Sequence, residues 1–351
     1  MGAFYGNSLL TILAAGASDC TQGCFIRRKP ARLLPASLPC WLAGREDVTK
    51  ALVYFEETSS QREPLDRRAW ALQEGLLAPR TLSYGTKEMW WECNAAVESD
   101  GGRQILESMS VRGLPKPIRS IMSGQFPQHN FDELMSTQRK WLYILSQYGN
   151  RNITFLEDRL PALSGIAEIF SYERQGDKYN AGLWESDMPT NLLWNTLYPA
   201  DQYRTTVPSW SWASLGRLQS NNVLRFDEQD VAGHQLSLPT ATCSLISASV
   251  TLKGSNRFGE VTSGVLILKG PLKRVWLRKE QMHSEKIHLD RKITLEPDVS
   301  LEAWILFVTA DKGLLLEKVE SADTGNIFRR FGVYHSAYTR WDCAQTIISI
   351  I

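Results

Sequence analysis

The chain has 351 residues, 43% of them hydrophobic, which is enough for a sizeable core and, at roughly 150 residues per domain, for about two domains. Its 39 Lys and Arg residues nearly cancel its 38 Asp and Glu residues, leaving a net charge of +1. Because this balance provides no basic field to hold a polyanion, we expect no nucleic acid as a partner.

The cysteines exclude a disulfide-rich secreted protein. Six of them are spread thinly along the sequence, which indicates a reducing, cytoplasmic compartment. Cys20 and Cys24 have the spacing of a metal clip, but no second Cys or His pair follows at zinc-ligand spacing, so no metal site is predicted. The glycine-rich motifs of dinucleotide and nucleotide-triphosphate sites are missing, so we predict no cofactor.

The first element is the apolar run from Leu9 to Ala15. No Lys or Arg precedes it, as a signal peptide requires, and it is too short to span a membrane. Its continuous apolar character, ending at Gly16, predicts a buried strand of about seven residues. Such a strand needs neighbours on both faces.

A helix followed by a hairpin is predicted next. The helix begins with Asp66 as N-cap and ends before Pro79. The strands Thr81–Tyr84 and Lys87–Cys93 follow, with a turn between them. Residues 99–130 are rich in Gly and Pro without sustained periodicity, which is typical of a long loop or linker.

Two helical stretches come after this loop. Apolar residues from Phe131 to Tyr148 recur at helical spacing, and Gly149 is placed to cap the helix. Thr154 with Glu157 forms a capping box that opens a second stretch, interrupted at Pro161.

From about residue 235 the sequence becomes rich in short β-prone runs, which predict a small antiparallel sandwich or barrel. These runs are Ser247–Lys253, Gly264–Gly270, Val275–Arg278, Ala303–Thr309, Leu314–Val319 and Ile327–Tyr334.

Several stretches carry long motifs. Residues 1–8 read MGAFYGNS and 23–25 read GCF; residues 68–84 read RAWALQEGLLAPRTLSY and 91–93 read WEC. Residues 148–167 read YGNRNITFLEDRLPALSGIA, followed by YNAGLW at 179–184, LLW at 192–194 and PSWSWAS at 208–214. In this order, the motifs resemble those of fungal heterokaryon-incompatibility (HET) domain proteins over nearly all of residues 1 to 234.

The resemblance implies an α+β chain: the remnant of an α/β, TIR-like HET domain, then a helical region and a β-rich region. The expected divisions are the end of the HET domain (1–98), the loop (99–130), the helical region (131–234) and the β-rich domain (235–351). The family's upstream ALSY-x-W-G, LP-x-T-x-x-D-A and YLWIDxxCIxQ segments have no counterpart, so we expect an N-terminally truncated member.

For function, the resemblance implies non-self recognition and programmed cell death. We expect a recognition or regulatory portion with protein partners, no membrane span and no catalysis. One alternative is a TIR-like enzyme that consumes NAD if the upstream domain is restored. A weaker alternative is a carbohydrate-binding protein, based on the Trp-rich centre and the β-rich end.

Candidate binding residues come from the motifs: Arg68, Trp70, Gln73, Glu74, Arg80, Trp210 and Trp212. Glu74 and Arg80 can pair, with the amide of Gln73 beside an aromatic wall. Equally, this first group can join the helix to the hairpin as satisfied buried polar groups. The two tryptophans, two positions apart, would share one side of an extended strand and stack on a sugar or base. Their other interpretation is as core residues. No catalytic residue is predicted, because no Gly-x-Ser-x-Gly motif occurs and the histidines lack a nucleophile context.

Overall fold

The computed structural model describes residues 2–27, 36–40, 49–53, 62–93, 96–100, 137–218, 224–226, 241–282, 284–296, 298–319, 325–335 and 343–351. Helices and strands are both abundant there, which confirms the predicted α+β class. The chain forms two compact units: Ala3–Ser123, and Met1–Gly2 together with Gly124–Ile351. We call them the N-terminal and C-terminal units. The predicted helical and β-rich regions both lie in the C-terminal unit.

The N-terminal unit contains a four-stranded sheet in the order β1-β4-β5-β6, in which β1 is parallel to β4 and the other pairs are antiparallel. Strands β2 and β3 form a separate antiparallel pair. The elements are α1 (Gly2–Gly6), β1 (Thr11–Leu13), β2 (Ala36–Cys40), β3 (Thr49–Val53), α2 (Ala69–Leu77), β4 (Arg80–Tyr84), β5 (Met89–Cys93) and β6 (Val97–Ser99).

The predicted buried strand at Leu9–Ala15 is wrong in length and burial. Strand β1 has three residues and lies at the edge of the sheet, paired with β4. Leu13 and Ala15 are buried, whereas Leu9 is 80% and Ile12 56% exposed. An edge strand pairs with a neighbour on one side only. A continuous apolar run therefore does not by itself show that both faces of the strand are covered.

The predicted helix and hairpin are present. Strands β4 and β5 pair with Arg80 opposite Cys93 and Tyr84 opposite Met89. The predicted N-cap is wrong, because Asp66 lies in a preceding 3-10 turn, Leu65–Arg67, and α2 begins after Arg68 without a side-chain cap.

The C-terminal unit begins with helices. Helix α3 (Thr137–Gly149) confirms the predicted helix from residue 137 onward, and 3-10 turns at Leu156–Arg159 and Pro161–Leu163 lead into α4 (Ser164–Glu173). The predicted start of α3 at residues 131–136 and the predicted loop at 101–130 lie outside the described residues. The capping box is wrong, because Phe155 holds the N-cap position with no side-chain cap bond.

Helix α3, the longest described, has 13 residues, while a bilayer span takes about 20. None of the described helices therefore meets the requirements for crossing a membrane. Four two-residue strands follow the helices: β7 (Tyr179–Asn180), β8 (Leu183–Trp184), β9 (Asn195–Thr196) and β10 (Leu224–Arg225).

A barrel forms the rest of this unit. Its ring runs β12-β14-β15-β16-β17 and closes because β17 pairs with both β16 and β12; β11 and β13 extend it. The barrel alternative is thus confirmed, with one departure, the parallel pairing of β16 and β17. The elements are β11 (Ser244–Leu252), β12 (Val261–Leu277), α5 (Lys279–Met282), β13 (Ile287–Leu289), β14 (Leu301–Phe307), β15 (Lys312–Lys318), β16 (Ile327–His335) and β17 (Gln345–Ile350).

The two runs predicted around Gly270 form one strand, β12. Residues up to Pro271 pair with β17, and residues from Leu272 onward pair with β14. The Gly-Pro dipeptide, normally typical of a turn, lies where β12 changes partners, so that the missing N–H of proline does not interrupt either pairing. Strand β17 was not predicted.

A buried ion pair joins the barrel to the segment that precedes it. Nε of Arg330, in β16, donates to Oδ2 of Asp290 at 2.8 Å, and Nη2 donates to Oδ1 at 3.1 Å. The guanidinium also donates to the carbonyls of Leu192 and Trp194 and lies over the Trp194 ring. The hydroxyl of Tyr203 lies 3.0 Å from Oδ2 of Asp290. Both charged side chains are at most 1% exposed.

Asp290→Asn removes the negative charge with little change of shape and leaves the Arg330 guanidinium buried without a counter-charge. We expect the free energy of unfolding to fall by about 3 to 5 kcal/mol. The control is Asp201→Asn, whose ion pair with Lys292 is more than half exposed and should contribute less than about 1 kcal/mol. Denaturant unfolding measures both; equal losses in the two variants would contradict the role of the buried pair.

Candidate functional site

The motif segments of the C-terminal unit meet at the turn between β7 and β8. The turn residues Ala181 and Gly182 have φ values of 47° and 99°, as a two-residue hairpin turn requires. The carbonyl of Gly182 accepts hydrogen bonds from the indole N–H groups of Trp141 at 3.2 Å and Trp212 at 3.3 Å. The Ser211 hydroxyl donates to the Ala181 carbonyl at 2.5 Å. Helix α3 and the motif at residues 208–214 therefore both stabilise the turn within the motif at residues 179–184.

The predicted extended strand through Trp210 and Trp212 is wrong. Residues 208–211 form a turn closed by a bond from the Ser211 N–H to the Pro208 carbonyl, and Trp212–Ser214 is a 3-10 turn. Trp210 and Trp212 are 0% and 2% exposed, which leaves no open ring face for a sugar or base. Buried rings in edge contact, such as Trp212 against Tyr148, are the packing expected of core aromatics.

The candidate residues of the N-terminal unit are brought together only in part. Gln73 is completely buried, Trp70 is half-buried and Arg68 is exposed. The pairing of Glu74 with Arg80 stays a prediction. Nη1 of Arg80 approaches the Leu9 carbonyl at 3.5 Å. Burial, followed by the charge and hydrogen bond of Glu74, raises the pKa of Tyr5.

A cavity of 370 Å³ opens beside the motif residues of the C-terminal unit, a volume within the range of small-molecule sites. We call it the motif pocket. Its lining comes from the end of α3, the following loop and the segment after Trp212. The residues are Tyr148, Gly149, Arg151, Asn152, Ile153, Thr154, Arg159, Trp212, Leu215, Arg217, Leu218 and Leu224.

Arg159 is the most constrained charge in the motif pocket. Its Nη2 donates to the Gly216 carbonyl at 2.9 Å, and its Nη1 donates to the carbonyls of Leu215 and Ala213. Its own carbonyl accepts from the Tyr148 hydroxyl at 2.8 Å. No carboxylate in the described part of the chain forms an ion pair with it. Desolvation lowers the pKa of Arg159 to about 10. The electrostatic interaction with Tyr148 opposes this shift, and the positive charge of Arg204 adds to it.

The charged side chains in the described lining of the pocket are all cationic. Arg151, Arg159 and Arg217 line it, and none of its described lining residues is acidic. Arg217 is exposed at the rim and donates to the Thr154 carbonyl at 3.4 Å. Arg151, Thr154 and Arg159 lie within the motif at residues 148–167 but are not among the binding residues predicted from the sequence. The sequence does contain a signal for this site, because two arginines, Arg151 and Arg159, lie within one motif.

A second cleft, of 580 Å³, contains five cations, Arg204, Arg291, Lys292, Arg329 and Arg330. Four of these five cations form ion pairs within the chain. Arg330 pairs with Asp290, Arg291 with Glu317, Lys292 with Asp201 and Arg204 with Glu260. Arg329 lies opposite Glu317 across the strand pair. The second cleft is therefore less suited to an anion than the motif pocket.

The described residues contain no group of three or more His, Cys, Asp or Glu side chains that could hold a metal ion. The motif pocket offers guanidinium, amide and hydroxyl groups around apolar walls. Such groups bind and orient an anion by charge-assisted hydrogen bonds.

Gly182→Ala should destabilise the C-terminal unit by about 1 to 3 kcal/mol or more. Its φ of 99° disfavours a side chain, and the added Cβ would lie 2.5 Å from Nε1 of Trp212. Gly254→Ala is the control, because a Cβ there meets no atom within 4 Å, and its effect should stay within about 0.5 kcal/mol. Denaturant unfolding would contradict the packing of the turn if both variants matched the parent.

Alkaline pH should reveal the buried tyrosines. Burial raises the pKa of Tyr148, Tyr179 and Tyr203 well above the usual value. Because these raised values belong to the folded state, the stability they contribute is complete below about pH 10 and is lost as the pH rises further. The Tyr179 hydroxyl has no hydrogen-bond partner among the described residues.

Tyr179→Phe should therefore leave the unfolding free energy near neutrality unchanged or slightly raised. Above about pH 10, the Tyr179 phenol lowers the free energy of unfolding of the parent by about 1.4 kcal/mol per pH unit, and the variant should lack this loss. Urea unfolding at about pH 8 and about pH 11 measures this. Tyr172→Phe, which removes a hydroxyl from a side chain that is 69% exposed, is the control. An unchanged alkaline slope in Tyr179→Phe would disprove the burial of this phenol.

Comparison with known proteins adds no relative. No family model matches the chain, and no curated protein or solved structure matches it. The resemblance to HET-domain proteins is therefore carried by the motif residues alone.

Proposed function

We propose that this chain is a recognition or regulatory portion of a HET-type protein that takes part in fungal non-self recognition and programmed cell death, and that it does not catalyse a reaction. The observation that supports this most is the position of the motif residues in the structure. Their polar groups bond to one another's backbone, and they surround a pocket suited to binding.

The internal bonds account for the motif in structural terms. The indole N–H of Trp141 and the Ser211 hydroxyl are both satisfied by carbonyls of the β7–β8 turn. Trp194 donates to the Trp210 carbonyl at 2.9 Å. Buried polar groups must be paired, so these residues are required for folding whatever the ligand. The binding role proposed for the chain rests on the motif pocket and not on these residues.

The proposed partners are proteins of the cytoplasm, with the C-terminal unit as the sensing part. A ligand in the motif pocket contacts the loop after α3, which belongs to the motif at residues 148–167, and the segment that follows the motif at residues 208–214. Binding there stabilises the folded state by mass action. The proposed regulation is thus a change in the stability or surface of this unit when its pocket is filled.

The two alternatives have less support. Sugar stacking on Trp210 and Trp212 requires exposed ring faces, and both rings are buried. NAD cleavage requires an accessible carboxylate. The motif residue Glu92 is 1% exposed and accepts a hydrogen bond from the Thr81 hydroxyl at 3.2 Å. A carboxylate held in this way has a structural role.

The test is to express the chain in a fungal strain and to score cell death where that strain meets incompatible partners. We expect the frequency of death to change relative to a strain that expresses Gly182→Ala, which carries the same sequence with a destabilised turn. In parallel, the purified chain is incubated with NAD, and we expect no release of nicotinamide. Unchanged cell death would contradict the recognition role, and nicotinamide release would establish the enzymatic alternative.

A further inference from the structure

We infer that the motif pocket binds a small phosphate-bearing ligand, with the phosphate between Arg159 and Arg217 and an apolar group against the remaining wall. The inference rests on the proposed function for its role in recognition. Binding itself is argued from the charges and shape of the pocket.

The first argument is the uncompensated charge of Arg159. Its side chain is 6% exposed, and its guanidinium is bonded to backbone carbonyls. Taking a charge out of water is costly unless an opposite charge compensates it. The other buried arginine of this unit, Arg330, has such a partner in Asp290. An anion in the adjoining pocket supplies for Arg159 what Asp290 supplies for Arg330.

The second argument is the arrangement of the rim. Arg217 is exposed and anchored to the Thr154 carbonyl, so its positive charge stands at the entrance. Asn152 and Thr154 are also exposed, and they add amide and hydroxyl donors. Arginine is the residue that suits phosphate best, because its planar group donates two parallel hydrogen bonds to an oxyanion.

The third argument concerns the two parts of the proposed ligand, a phosphate and an apolar group. Three arginines surround the pocket without an acidic lining residue among those described, and a phosphate monoester carries nearly two negative charges near neutrality, compared with one for a carboxylate. The other lining residues include the apolar side chains of Ile153, Leu215, Leu218 and Leu224, and the almost fully buried Tyr148 and Trp212. Apolar walls with a few convergent polar groups are typical of ligand sites.

The test uses inorganic phosphate, pyrophosphate and adenosine monophosphate as probes, with succinate as the carboxylate arm, all at one ionic strength. Isothermal titration calorimetry and thermal unfolding measure binding to the full chain. We expect the three phosphates to bind and to raise the midpoint of unfolding, with adenosine monophosphate binding more tightly than inorganic phosphate because of its apolar part. Succinate also carries two negative charges, but on two separate carboxylates, so it should bind at least about tenfold more weakly than inorganic phosphate if the arginines select one compact oxyanion.

The variants are Arg217→Gln and, as the matched control, Arg278→Gln. Both remove one exposed arginine, but Arg278 is not part of the pocket lining. Arg217→Gln should weaken phosphate binding by about tenfold or more, and Arg278→Gln should not change it. Thermal unfolding without ligand verifies that both variants are folded; if Arg217→Gln does not fold, Arg217→Lys, which keeps the charge but not the fork, replaces it and should weaken binding.

The inference is overturned if no phosphate binds, if succinate binds as tightly as phosphate, or if the two glutamine variants lose affinity equally. Its failure is separate from that of the proposed function. Phosphate binding with unchanged cell death would contradict the recognition role and leave the pocket assignment intact. Altered cell death without phosphate binding would support the recognition role and contradict the pocket assignment.

Discussion

The ion pair between Arg330 and Asp290 is the interaction on which the C-terminal unit depends. The barrel strand β16 and the residue after β13 supply the two charges, and the arginine then reaches back to the carbonyls of Leu192 and Trp194. One guanidinium thus connects the barrel to a motif segment far away in sequence. Because both charges are withdrawn from water, the pair specifies one arrangement of these elements, and losing either partner leaves the other uncompensated.

Arg159 presents the same problem with a different solution. It is buried as Arg330 is, and it also fixes backbone carbonyls, those of the segment after Trp212. It differs in having a pocket beside it where Arg330 has a carboxylate. The contrast between these two residues separates the motif pocket from the second cleft, where four of the five cations form ion pairs within the chain.

The motifs that suggest a HET-domain relative therefore have two roles. Tryptophans and Ser211 hold the β7–β8 turn, and Gly182 provides a backbone conformation and a close approach that a side chain would prevent. Arg151, Thr154 and Arg159 line the pocket that this packing leaves. The proposed recognition function rests on the pocket, whereas the hydrogen bonds of the tryptophans and Ser211 are explained by folding.

The sequence by itself determined the features that depend on neighbouring residues. Periodicity predicted α3, and short alternation predicted the β4–β5 hairpin and most of the barrel strands, because helix and strand patterns are local. Tertiary structure decided the rest. The apolar run at Leu9 became an edge strand because one neighbour pairs with it, and β12 passes through Pro271 because its partner changes there. Trp210 and Trp212 entered the core through contacts with distant segments. The absence of a counter-charge for Arg159 among the described residues depends on which side chains the fold brings near it, and sequence spacing carries no record of that.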